Sequence, residues 1–147
     1  MQIARWIHLL GVVVWIGGMF FAHMALRPAA LTLPPPQRLP LLAATLTHFL
    51  GWVAVAIVGI LVSGGALIVM LGGMRGVGPA VHTMTGLGVL MMLIYGHIVA
   101  GPFRRLRAAA AAADWAGAGA AMAQVRRWVG INLVLGLVTI TVAVLGR

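Results

Sequence analysis

Four long stretches almost free of charge constrain this chain more than any motif does. They run from about Ile3 to Leu26, Leu41 to Leu71, Pro79 to Phe103 and Met122 to Leu145. A helix needs about 20 apolar residues to cross the hydrocarbon core of a bilayer. Inside lipid every backbone N–H and C=O must be paired within the segment, so each stretch is expected to be α-helical. The charge content agrees: 7% of residues are charged and 63% hydrophobic, where a water-facing domain carries roughly a quarter charged. The expectation is an all-α integral membrane four-helix bundle, a single domain over residues 1–147 whose main partner is the lipid bilayer.

The connections follow from turn residues. Pro28, Pro34, Pro35, Pro36 and Pro40 predict a first loop without helix, because proline lacks the N–H a helix interior uses. Gly72, Gly73, Gly76, Gly78 and Pro79 predict a short second turn. The third connection carries Arg104, Arg105 and Arg107, an alanine run that extends the third helix into water, then Gly117, Gly119, Arg126 and Arg127. The first span is longer than the apolar region of a signal peptide and follows a single Arg, so it reads as a retained helix.

Arginine placement gives the orientation and excludes one partner. The first and third loops share a side and hold Arg27, Arg38, Arg104, Arg105, Arg107, Arg126 and Arg127; Arg5, Arg75 and Arg147 lie opposite. The positive-inside rule then puts both termini on the outer, periplasmic side of a bacterial inner membrane. The net charge of +9 is spread as membrane-flanking clusters rather than as a basic stripe with aromatic neighbours, so nucleic acid is excluded as a partner. The absence of cysteine removes disulfides and thiolate metal sites. Small residues at helical spacing, such as Gly18 with Ala22 and Gly96 with Ala100, suit close helix packing and leave a homo-oligomer open.

The chemistry lies in the histidines. His8, His23, His48, His82 and His97 all fall inside the spans, where ionisable side chains are costly and mark functional sites. His8 and His23 are fifteen residues apart on the first helix, as are His82 and His97 on the third. The two helices run in the same direction, so the histidines form two levels about 22 Å apart at 1.5 Å per residue. In a regular α-helix, fifteen residues leave the two side chains about 60° apart around the axis, on one face. His48 joins the inner level from the second helix. Neutral imidazoles suit haem iron and copper alike. The leading expectation is a b-type haem protein holding one or two haems for transmembrane electron transfer to a redox partner or quinone. In it His8 and His82, and His23 or His48 with His97, are axial ligands. Gly11, Gly18 and Ala22 of the first helix and Gly86, Gly96 and Ala100 of the third would line a slot for the porphyrin, Trp15 and Trp52 would wall the pocket, and Arg27 and Arg104 would meet the propionates. The alternative is copper transport or homeostasis through the same histidines with Met19, Met24 and Met84, since thioethers favour Cu(I). No hydrolytic motif is visible, so an enzyme here would be a haem-dependent membrane oxidoreductase.

The first helix, WIHLLGVVVWIGGMFF from Trp6 to Phe21 followed by Arg27-Pro28, resembles the opening of the CopD-like family of four-helix membrane proteins, itself distantly similar to the HemJ group linked to haem biosynthesis. The resemblance implies that His8 is a metal or haem ligand. HemJ-type proteins carry a lysine motif, whereas this chain has no lysine.

Overall fold

The computed structural model describes residues 1–146; Arg147, counted above on the outer side, lies outside them. Among the described residues four helices are long and apolar enough to cross a membrane: α1 Gln2–Ala30, α2 Pro35–Met70, α3 Pro79–Ala111 and α4 Trp115–Leu145. The protein is an all-α four-helix bundle. The N-terminal half of α1 packs along α2, and α3 packs along α4 over its whole length. The second half of α3 closes the bundle against α2, while the middle of α1 reaches α4. At the centre Gly136 of α4 leaves room for Ile16 of α1 and Met91 of α3.

The buried core holds Trp15, Met19, Leu46, Val53, Met91, Leu106, Val125 and Leu133. The outward faces carry Phe20, Phe21, Val55, Val62, Leu93 and Val134, all more than half exposed, as a lipid-facing surface requires.

The prolines of the first connection behave differently from the expectation. Only residues 31–34 leave the helical state. Pro35 and Pro36 occupy the first turn of α2, where the missing N–H has no partner to lose. Pro40 lies inside α2, leaving to water the carbonyl of Pro36, an exposed residue. Pro28 continues α1 directly after a π-turn at Ala22–Leu26. The wider turn before it is the kind of ladder irregularity that accommodates proline in a helix.

The remaining ends obey local rules. α2 stops in a Schellman motif, with Gly73 N–H donating to Ile68 O at 2.9 Å and Gly72 N–H to Val69 O at 3.1 Å. Gly72 and Gly73 have φ of +92° and +78°, the left-handed region that favours glycine. α3 breaks at Gly101 and resumes from Pro102, so the alanine run does extend this helix before the chain turns. Asp114 caps α4, its Oδ1 accepting from Gly117 N–H at 2.9 Å. The chain's one acid is thus a helix cap.

Candidate functional site

α1 positions the site, and its geometry is not that of a uniform α-helix. Gly11, Trp15 and Met19 are buried at four-residue intervals, and His23 follows half-buried. At 100° per residue each four-residue step drifts about 40°, so Gly11 and His23 would end about 120° apart. A π-turn at Val13–Gly17 takes in one more residue per hydrogen bond than an α-turn and cancels much of that drift. Trp15 and Met19 therefore stay under the bundle's inner face. The fifteen-residue interval from His8 to His23 contains one π-turn and ends inside a second, so the 60° separation expected for a regular helix does not apply to it.

His8 is half-buried against α2. Its Nδ1 lies 3.3 Å from Ser63 Oγ, and Ser63 itself is buried. The Ser63 hydroxyl has one hydrogen, which it donates to Gly59 O one turn back. With that proton committed, Ser63 Oγ offers His8 a lone pair, so the tautomer with the proton on Nδ1 suits this contact. In that tautomer Nε2 carries the ring's lone pair, the arrangement metal-binding histidines adopt. Gly64 makes room for the ring: a Cβ there would stand 3.1 Å from His8 Cε1.

The other histidines have different neighbours. His23 packs on Gly130 of α4, where a Cβ would meet its Cε1 at 3.2 Å. His97 is exposed and meets Trp128 of α4 edge-on, with ring centroids 4.9 Å apart. His48 and His82 are exposed. Among the described residues no three of His, Asp or Glu gather as a metal site.

On α1 the slot expected for a porphyrin is filled by protein. Ile60 of α2 lies over Gly11, with a Cβ at that glycine only 2.7 Å from Ile60 Cγ1, and Phe49 covers Gly18. Trp15 is a core residue at 4% exposure, but Trp52, at 65%, faces outward rather than into a pocket. Two hollows open where the arginines cluster. One, between α2 and the second half of α3, is lined by Arg104 and Arg107 and by no histidine. The other, about 130 Å³, takes in His23, Arg27, Arg38 and Arg126, and falls short of the roughly 300 Å³ of even small organic-ligand pockets. Neither hollow joins porphyrin-sized space to a histidine ligand.

The methionines divide as well. Met19 is 2% and Met91 3% exposed, whereas Met24 is 62% exposed on the lipid side, which removes it from the donor set expected for copper. Sequence reasoning missed Ser63 as the partner of His8 and Arg38 and Arg126 as companions of His23. Each pairing joins different helices, and no spacing within one helix encodes it. Asn132 of α4 donates from Nδ2 to Met91 O of α3 at 3.4 Å.

Fold and site together define a polytopic helical membrane protein with a histidine held at the α1–α2 contact. The family model described as copper resistance protein D matches residues 43–145, well over half of the chain, and the chain belongs to that family. The comparisons with curated proteins and with solved structures found no match.

Proposed function

We propose that the protein handles copper as a transport or homeostasis component of the bacterial inner membrane, with the copper ion as cargo. The carrying observation is His8 at the α1–α2 contact, with Nδ1 3.3 Å from Ser63 Oγ; in the tautomer with the proton on Nδ1, Nε2 carries the lone pair that would bind copper. Membership of the copper resistance protein D family supports the same reading. Below His8, the protein-facing side of α1 offers Met19 and then His23, about 16 Å and a further 6 Å along the axis. Imidazole and thioether are the donors that suit Cu(I). Isolated donors also suit passage better than storage, since a conducted ion must be held weakly enough to leave each station. Arg27, Arg38 and the arginines of the third loop are on the cytoplasmic side in this reading, and both termini are periplasmic.

The test is Cu(I) uptake into proteoliposomes containing the full chain, with an optical spectrum of the same preparation. Uptake above empty liposomes that falls several-fold in His8→Ala supports the reading. Uptake equal to that of empty liposomes overturns it, and a Soret band with sharp reduced α and β bands would put haem in its place.

A further inference from the structure

The hollow around His23 has an electrostatic problem of its own. Arg27 from the end of α1, Arg38 from the start of α2 and Arg126 from α4 converge on a space of about 130 Å³. The one carboxylate side chain in the sequence, Asp114, is engaged as the cap of α4 and does not line the hollow. Arg38 spends one N–H on Leu33 O, at 3.4 Å, and keeps the rest of its donors. Like charges gathered in a concave site at a membrane boundary repel one another unless an anion sits among them.

The lining changes character with depth. Beyond the guanidinium groups the wall is apolar, formed by Leu42, Leu46 and Val129. The spans place those residues on the membrane side of the arginines. A free anion would use only the charged mouth, whereas an amphiphile uses both parts. Basic pockets between transmembrane helices bind anionic lipid headgroups in this way, and guanidinium forks match phosphate geometry.

We infer that this hollow is a binding site for an anionic phospholipid, its phosphate held by Arg27, Arg38 and Arg126 and an acyl chain lying along the apolar wall. The site joins α1, α2 and α4, so an occupying lipid ties α1 to the rest of the bundle. The inference stands apart from the copper reading and needs no metal.

Native mass spectrometry of the full chain, delipidated and then exposed to phosphatidylglycerol or phosphatidylcholine of matched acyl chains, tests it. Wild type is expected to retain phosphatidylglycerol at least about tenfold better. At about fivefold per arginine near a membrane surface, the double variant Arg38→Gln/Arg126→Gln is expected to lose about twenty-five-fold. Arg105→Gln/Arg127→Gln, the same charge change outside the hollow, is expected to retain wild-type binding. If the first double variant does not elute as a folded species, Arg126→Gln alone carries the test with an expected fivefold loss. Equal losses in both double variants would reduce the effect to surface charge and overturn the site. Equal retention of the two lipids would do the same. Displacement of phosphatidylglycerol by millimolar inorganic phosphate would overturn the lipid assignment and give the site to a free anion.

Discussion

Helices α1 and α3 carry the same signal, two histidines fifteen residues apart, and put it to different use. In α1 the histidine-bearing side turns toward protein: His8 meets Ser63 of α2 and His23 meets Gly130 of α4. In α3 the segment Pro79–Ala100 is regular α-helix, yet His82 and His97 are both exposed. The glycines repeat the contrast. A Cβ at Gly11 would press on Ile60 and stand 3.1 Å from Ala56 O, while Gly86 and Gly96 face open space. Equal spacing therefore does not mean equal environment; the neighbour and the local winding of each helix decide.

The sharpest way to break this comparison is to change the phase of α1. Deleting Leu10, which lies in the α-helical segment before the first π-turn, rotates residues 1–9, His8 among them, by about 100° relative to Trp15, Met19 and His23. Uptake of Cu(I) is then expected to fall to background and the thermal transition to drop, the largest effect among these variants. Unchanged uptake and stability would mean that the face on which α1 presents His8 does not matter to either.

Next comes the glycine pair. Gly11→Val is expected to destabilise by about 1–3 kcal/mol through overpacking, because both a side chain and a backbone carbonyl of α2 stand in the way. Gly96→Val should stay within about 0.5 kcal/mol, as substitutions away from packed features do. Denaturation in mixed micelles would compare the two, and equal costs would erase the distinction. On function, His8→Ala should cut uptake several-fold and His82→Ala should leave it near wild type; the reverse result would move the working histidine to α3.

The smallest effect concerns the polar contacts that tie each helix to its neighbour. Ser63→Ala removes the contact to His8, and Asn132→Ala removes the bond to Met91 O. Each is expected to cost about 0.6 kcal/mol, the average for interhelical hydrogen bonds in membranes. Only Ser63→Ala should also weaken copper handling, since it frees the His8 tautomer. Asn132 leaves its Oδ1 unpartnered, which holds its expected loss at the low end.

Sequence alone determined the class of this protein. Lipid admits only self-satisfied backbone, so four apolar stretches with one acid had no alternative to four helices, and glycines and the alanine run placed two of the connections. Asp114 as a cap also follows from local hydrogen bonding. Tertiary structure decided the rest. Whether Gly11 opens a slot or receives Ile60, whether Trp52 faces a pocket or lipid, and which serine orients His8 are contacts between segments up to fifty-five residues apart. Helical periodicity says which residues share a face but not what that face meets. A π-turn of a single extra residue is enough to change even the face.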